Sequence, residues 1–217
     1  MTAIPRIGVL VSGRGSNLEA LLLAERAGCL GGSVALVISN RATAGGLAIA
    51  ARFGVATQVI DHVQRDRAEF DAALDTALER NACDLVVLAG FMRILTPAFV
   101  QRRTGAMINI HPSLLPAFGG LHTHRRALAE GVRIHGCTAH FVTSDLDHGP
   151  IIAQGAVAVL PDDDEAGLAA RVLEIEHRIL PAAVRAWCEG RLVIAAGRVR
   201  VEGELPQLHA LQVPIFA

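Results

Sequence analysis

Three side chains have the types and the spacing for chemistry at a carbonyl group. Asn109 and His111 stand two positions apart at the end of an apolar run, and Asp147 follows further along the chain. On an extended strand both side chains project to one face, so an amide N–H₂ and an imidazole lie side by side. Such a pair can donate hydrogen bonds to a carbonyl oxygen that gains negative charge. A carboxylate near His111 favours the charged imidazolium, which is a proton donor.

The stretch that contains these side chains is also rich in histidine. Its histidines are His111, His122, His124, His135, His140 and His148. Because histidine titrates near neutral pH, this crowding indicates function. One alternative is a metal hydrolase that uses the His122-x-His124 pair with His111 or Asp147. That pair shares a face only on an extended segment, and residues 120–128 predict a helix entry instead. The histidines other than His111 are interpreted as structural or supporting, with His148 left open.

The composition excludes several classes of protein. It is 52% hydrophobic and 19% charged, and 20 basic residues against 21 acidic ones give a formal net charge of -1. This balance gives no support to a nucleic-acid partner. Four cysteines without a C-x-x-C pair are expected to be free core residues. No run approaches the roughly 18 apolar residues of a membrane span. We therefore expect a cytoplasmic protein without a membrane partner.

The order of predicted elements indicates an α/β fold. Strands are predicted at residues 7–11, 34–39, 57–60, 85–89 and 107–110, alternating with helices at 17–27, 44–53 and 67–80, as in βαβ units. Later strands are predicted at 138–142 and 151–160, followed by a helix at 165–188 with an Asp162/Glu165 capping box. A hairpin at 192–194 and 198–201 ends the pattern, and the last fifteen residues look peripheral. The prediction is an open, mostly parallel twisted sheet with helices on both faces and antiparallel strands in the carboxyl-terminal part.

The loop after the first strand reads SGRGSN at residues 12–17. Its glycines allow the backbone to approach an anion, and the free N–H groups of the next helix start point toward it. We therefore expect a phosphate site. Leu18 stands where the dinucleotide fingerprint needs a third glycine, and the Walker lysine is absent, so NAD and ATP are disfavoured. The alternative is a tight turn capped by Ser16 or Asn17.

The apolar loop GFMRILTP at residues 90–97 follows the most hydrophobic strand. Such a loop can receive a flat organic ligand, and its backbone amides can bind the ligand's polar edge. The alternative is ordinary packing of Phe91 and Leu95. Thr96 and Pro97 predict the start of a helix.

Five segments resemble motifs of the phosphoribosylglycinamide formyltransferase family. They are SGRGSNLEAL, LAGFMRIL, INIHPSLLP, GLHTHRRAL and HGCTAHFVTSDLDHGPI, in the order in which the family has them. The resemblance implies a Rossmann-like formyltransferase fold. It also implies transfer of a formyl group from 10-formyltetrahydrofolate to the amine of glycinamide ribonucleotide, in de novo purine biosynthesis. Both ligands would be small-molecule substrates, with no bound cofactor and no metal.

The resemblance also implies roles for individual residues. The catalytic trio would be Asn109, His111 and Asp147. Residues matching the ribonucleotide site are Gly15, Ser16, Asn17 and Glu176. Residues matching the folate site are Arg67, Met92, Arg93, Ile94, Leu95, Asn109, Thr143, Ser144 and Asp145. We expect one formyltransferase domain over residues 1–217. Its phosphate-binding half would cover roughly 1–105, and its catalytic and folate-binding half roughly 106–200.

The sequence departs from the family pattern at two places. After SLLP the family has Lys-Tyr-Pro-Gly, whereas residues 117–120 here are AFGG. The glycine that usually follows the aspartate is His148 here. We expect neither departure to involve the catalytic trio.

Other functions compatible with the residues stay open. Formyltetrahydrofolate hydrolase and methionyl-tRNA formyltransferase share the trio but carry an additional amino- or carboxyl-terminal domain, respectively. A first strand at residue 7 and a last residue at 217 favour neither. A His-rich metal hydrolase and a non-catalytic binding module are the remaining alternatives. Apolar helix faces serve a core and an interface alike, so the sequence is also compatible with a homodimer.

Overall fold

Seven strands form one sheet and two form a separate hairpin in the computed structural model, which describes residues 3–63 and 65–203. The strands are β1 (Arg6–Val11), β2 (Ser33–Ser39), β3 (Thr57–Val59), β4 (Leu85–Leu88), β5 (Met107–His111), β6 (Ile134–Phe141), β7 (Ile151–Ala158), β8 (Leu192–Ala195) and β9 (Arg198–Val201). The helices are α1 (Ser16–Arg26), α2 (Gly45–Arg52), α3 (Arg67–Arg80), α4 (Pro97–Arg102), α5 (Thr123–Ala129) and α6 (Glu165–Cys188).

The large sheet has the strand order β3-β2-β1-β4-β5-β6-β7. Strands β1 to β5 pair in parallel, whereas β6 and β7 pair antiparallel with their neighbours. The strand order therefore reverses at β1, which lies between β2 and β4. In open α/β sheets, the crevice beyond the carboxyl ends of the strands at such a point binds ligands.

Two apolar clusters cover the two faces of the sheet. One contains alternate residues of β1, such as Val9, packed with α1, α2 and α6. The other contains Leu10 from the opposite face of β1, packed against Phe70 of α3 and Phe99 of α4. Side chains alternate between faces along a strand, so a strand buried on both faces reads as a continuous apolar run. This confirms the predicted α/β class with helices on both faces.

The predicted strands and helices are found, with shifts at their ends. Strand β5 extends to His111. Strand β6 begins four residues before the predicted start, because the residues from Ile134 onward also pair with β7. The predicted helix start at Thr96 and Pro97 is confirmed, since the Thr96 side chain accepts from the backbone N–H of Phe99.

The predicted cap of α6 and the alternative cap of α1 are both wrong. The residue that caps α1 is Gly15, in a left-handed conformation with φ 86°, so neither Ser16 nor Asn17 caps the turn. At α6 the N-cap is Asp164, whose carboxylate accepts from the N–H of Gly167 at 2.7 Å. The Asp163 carboxylate instead accepts a hydrogen bond from Arg171, which lowers the pKa of that carboxyl to about 2. Three successive aspartates offer similar caps, and the pairing with Arg171 occupies Asp163.

Other predictions concern composition and the ends of the chain. The four cysteines are free, as expected, but Cys29 is exposed and is not a core residue. Across residues 3–63 and 65–203, no helix combines the length and apolar character that crossing a membrane requires. Residues 204–217, most of the stretch expected to be peripheral, lie outside the described residues. The division into halves near residue 105 stays a prediction.

Candidate active site

A cavity of about 810 Å³ opens beyond the carboxyl ends of β1, β4 and β5. Its volume suits a ligand of cofactor size. The predicted site residues that line it are Gly15, Ser16, Asn17, Met92, Arg93, Ile94, Leu95, Asn109, His111, Thr143, Ser144, Asp145, Asp147 and Glu176. Arg67 is not part of this lining and lies exposed in the first turn of α3. A folate contact by Arg67 stays a prediction.

Asn109 is oriented by a buried histidine on the neighbouring strand. Asn109 of β5 pairs with His140 of β6 across the antiparallel ladder, and Asn109 Nδ2 lies 3.1 Å from His140 Nε2. His140 Nδ1 lies 2.9 Å from the carbonyl oxygen of Phe141, so this nitrogen carries the proton. Burial lowers the pKa of His140, which keeps the ring neutral and Nε2 an acceptor. One N–H of Asn109 is thus held by His140, and its second N–H stays available to a ligand.

His111 and Asp147 form a close pair at the edge of the cavity. His111 Nδ1 lies 3.5 Å from Asp147 Oδ1, and the two side chains are only 9% and 8% exposed. The other ring nitrogen, Nε2, lies 3.2 Å from the carbonyl oxygen of Phe118. Both nitrogens therefore face oxygen acceptors, and a doubly protonated ring would donate to each. Asp147 holds a left-handed conformation with φ 56°, which Asp tolerates better than most residues.

The expectation that the AFGG departure leaves the trio alone is wrong. The carbonyl oxygen of Phe118 faces His111, and the backbone N–H of Gly120 donates to Asp147 Oδ2 at 2.8 Å. Both contacts use backbone atoms, so residue types alone gave no signal for them. The loop after β5 folds back over the strand end and supplies one partner to each member of the His111–Asp147 pair.

The loop after β1 brings its backbone close to a second glycine. A Cβ on Gly15 would lie 2.4 Å from Gly46 Cα, closer than real Cβ contacts come, and its φ of 86° is also unfavourable for other residues. The N–H of Gly46 donates to the carbonyl oxygen of Gly13, which ties the start of α2 to this loop. The loop is therefore held in a shape that only glycine permits. Its backbone and the start of α1 line the cavity.

A buried carboxylate lies behind this loop. Asn17 Nδ2 donates to Glu176 Oε2 at 2.7 Å, joining the start of α1 to the middle of α6. The two residues are 8% and 6% exposed and both line the cavity. Burial raises the pKa of Glu176, while the hydrogen bond from Asn17 opposes that shift. The carboxylate can accept hydrogen bonds from hydroxyl groups of a ligand.

The segment after β4 gives the cavity an apolar wall. Met92 and Ile94 line it although their side chains are 68% and 53% exposed. The Arg93 guanidinium lies 4.6 Å from the ring centroid of Phe70. Exposed apolar groups at a cavity mouth are available to cover a flat ligand.

Residues 143–147 form the remaining rim. Ser144, Asp145 and Leu146 are exposed, and the Thr143 hydroxyl donates to the carbonyl oxygen of Asp145 at 3.2 Å. The exposed His148 is a neighbour of Asp147 in sequence, but its Nδ1 lies 2.7 Å from the carbonyl oxygen of Leu146. This contact stabilises the turn that carries Asp147.

Two of the other histidines, His124 in the cavity lining and the buried His135, pack against each other. The rings of His124 and His135 meet edge to face with centroids 5.3 Å apart. Burial is the main cause that lowers the pKa of His135, to about 4, and the neighbouring His124 adds to it. Their neutral, packed state fits the predicted structural role.

The His122-x-His124 pair does not have the extended geometry that a metal site would need. His122 precedes α5 in a left-handed conformation with φ 57°, and His124 lies inside that helix. The described residues contain no group of three metal-ligating side chains.

Comparisons with known proteins agree with this geometry. Residues 5–184 match the family model described as formyl transferase. The chain is 45% identical to phosphoribosylglycinamide formyltransferase of Escherichia coli (strain K12), over 91% of this chain and 94% of that protein. It is 50% identical to a solved structure of glycinamide ribonucleotide transformylase 1 from Symbiobacterium toebii, with a TM-score of 0.89 over 91% of this chain and 94% of the other.

Longer and more distant relatives also match. The chain is 49% identical to the human trifunctional purine biosynthetic protein adenosine-3, over 85% of this chain but only 18% of that protein. The chain thus spans about a fifth of the length of such relatives. A formyltetrahydrofolate deformylase from Pseudomonas syringae shares the fold with a TM-score of 0.87 at 28% identity, over 92% of this chain and 66% of that chain.

Proposed function

Because the chain belongs to the formyl transferase family, we propose that it transfers a formyl group from 10-formyltetrahydrofolate to the amine of glycinamide ribonucleotide. The E. coli relative that carries this name matches it over nearly the whole length of both chains. The reaction would yield formylglycinamide ribonucleotide in purine biosynthesis. One cavity with a phosphate-type loop, an apolar wall and the Asn109–His111–Asp147 trio supports the proposal.

The two substrates would bind to different walls of the cavity. The phosphate of the ribonucleotide would lie against Gly15, Ser16 and Asn17, where N–H groups start α1. Its ribose hydroxyls would reach Glu176. The folate ring would lie against residues 92–95, and Thr143, Ser144 and Asp145 would cover it from the rim. This arrangement directs the amine and the formyl group toward the trio.

The trio would act on the tetrahedral intermediate. Attack of the amine on the formyl carbon places negative charge on the formyl oxygen. The free N–H of Asn109 and the positive charge of protonated His111 stabilise that oxygen. Asp147 keeps His111 charged and oriented, and its 3.5 Å separation can shorten when substrate binds. A water ordered by Asp147 would carry the proton from the amine to the departing folate nitrogen. Phosphate binding far from the reacting atoms supplies positioning energy.

The observation that carries the proposal is the convergence of His111 and Asp147 on one cavity with Asn109, from distant parts of the chain. The test is an assay of 10-formyltetrahydrofolate with and without glycinamide ribonucleotide. The proposal predicts release of tetrahydrofolate only when the ribonucleotide is present, with equal formation of the formylated product. Absence of release under both conditions would overturn it.

Hydrolysis of formyltetrahydrofolate is the second candidate, since a deformylase shares the fold. Release of folate and formate that does not need the ribonucleotide would favour it. The higher identity to the E. coli transferase favours transfer. A homodimer and a cytoplasmic location stay predictions; sedimentation analysis tests the first and cell fractionation the second.

A further inference from the structure

We propose that Ser12 and Asp71 are positioning residues that hold the backbone of residues 92–95 as a binding edge for the formyl donor. The inference rests on the proposed function, because it assigns the donor to this segment. Neither residue is among the individually predicted site residues, although Ser12 opens the predicted phosphate loop. Both are buried, at 4% and 2% exposure, and each binds one end of the segment through a backbone N–H.

Ser12 binds the first end of the segment. Its hydroxyl accepts from the backbone N–H of Met92 at 2.8 Å and donates to Asn40 Oδ1 at 2.7 Å. The backbone N–H of Ser12 also donates to the carbonyl oxygen of Gly90. Since Ser12 directly follows β1, these bonds fix the position of the segment after β4 relative to the end of β1.

Asp71 binds the second end. Its Oδ2 accepts from the backbone N–H of Thr96 at 2.6 Å, while Oδ1 is buried without a hydrogen-bond partner. No cation pairs with Asp71 among the described salt bridges. A buried carboxylate in this state costs stability, so the fold gains little from it. Positioning of the segment is the better explanation for an acid among the apolar residues of α3.

The backbone between the two ends is free to bind a ligand. Within the described part of the chain, the amides of Arg93, Ile94 and Leu95 donate no hydrogen bond, and all three residues line the cavity. A flat heterocycle with a polar edge can use such groups. Holding them in place before binding reduces the entropy lost on binding. The two anchors should therefore set the affinity for the donor and not the chemical step.

The test compares four variants by steady-state kinetics with both substrates. Asp71→Ala removes the acceptor of the Thr96 N–H, whereas Asp71→Asn keeps an acceptor oxygen and removes the charge. Asp75→Ala is the matched control, because Asp75 lies one turn further along α3, pairs with Arg103 and is absent from the cavity lining. Ser12→Ala tests the other anchor and serves in place of Asp71→Ala if that variant does not fold.

We expect Asp71→Ala to raise the KM of the donor about tenfold, with kcat and the KM of the ribonucleotide within about threefold of wild type. Asp71→Asn and Asp75→Ala should keep the donor KM within about twofold. Hydrogen exchange in a peptide spanning residues 91–96 should accelerate only in Asp71→Ala. An unchanged donor KM, or an equal loss in all kinetic parameters, would overturn the inference. Lack of transfer by the wild type would instead overturn the proposed function.

Discussion

The side-chain amide of Asn109 donates to Nε2 of His140 across 3.1 Å, and this contact holds the Asn109 side chain. His140 can accept because its other nitrogen donates to the carbonyl oxygen of Phe141 and because burial keeps the ring neutral. The orientation of the Asn109 amide is thus set by a residue one strand away.

Replacement of His140 should therefore weaken catalysis through the loss of its hydrogen bond with Asn109. We expect His140→Leu to lower kcat by roughly 10- to 100-fold, because the Asn109 amide loses its orientation. His140→Gln, whose side-chain oxygen can accept from Asn109, should recover part of the rate. Stopped-flow or steady-state assays at saturating substrates measure this. Equal rates in the Leu and Gln variants would contradict the role of the hydrogen bond.

Gly15 provides a prediction about the phosphate loop with an internal control. Gly15→Ala forces a Cβ against Gly46 Cα, whereas Gly28→Ala has a similar positive φ and no atom within 4 Å of the added Cβ. We expect Gly28→Ala to cost about 1 kcal/mol of stability. Gly15→Ala should cost more and raise the KM of the ribonucleotide at least about tenfold. Thermal unfolding and kinetics measure both effects. Indistinguishable variants would show that the close approach does not matter.

His135 predicts a dependence of stability on pH. Its folded pKa of about 4 lies below the ordinary histidine value of 6.5, so the unfolded chain binds more protons between these values. The free energy of unfolding therefore carries no penalty from His135 above pH 6.5, and it falls as the pH drops toward 4. The contribution of this residue is about 3 kcal/mol at most.

The change that isolates this effect is His135→Leu. Urea unfolding of wild type and variant should show a difference in free energy that shrinks or reverses from pH 7 to pH 4.5, because only the wild type loses stability through His135. The pKa values of His124, His140 and His177 shift in the same direction, and these residues are present in both proteins, so their contributions cancel to first order. Parallel pH curves for the two proteins would refute the assignment.

Much of the fold could be predicted because its apolar residues recur at the spacings of strands and helices. The continuous apolar runs of β1, β4 and β5 and the Phe70–Leu74–Leu78 stripe of α3 specify a sheet covered on both faces. The caps of α1 and α6 could not be predicted reliably, because several neighbouring residues offer the same side-chain oxygen. There the choice depends on tertiary contacts such as the Arg171–Asp163 pair.

The candidate site could likewise be predicted only in part. Asn109 and His111 share a strand face, so their proximity follows from spacing alone. The contacts of Phe118 and Gly120 with the trio use backbone atoms and leave no trace in residue type. Ser12 acts through a hydrogen bond to the backbone. Asp71 could have been recognised from the sequence, because it is an acidic residue beside the apolar stripe of α3. An acid at such a position indicates a specific contact.

The kinetics of Asp147→Asn test the central claim most directly. Asn tolerates the left-handed conformation of residue 147 and has a similar size, so the variant removes the charge with little change in shape. The mechanism predicts that kcat falls by about 10³-fold or more while both KM values stay within about threefold. A kcat close to that of the wild type would contradict the claim that Asp147 keeps His111 charged for formyl transfer.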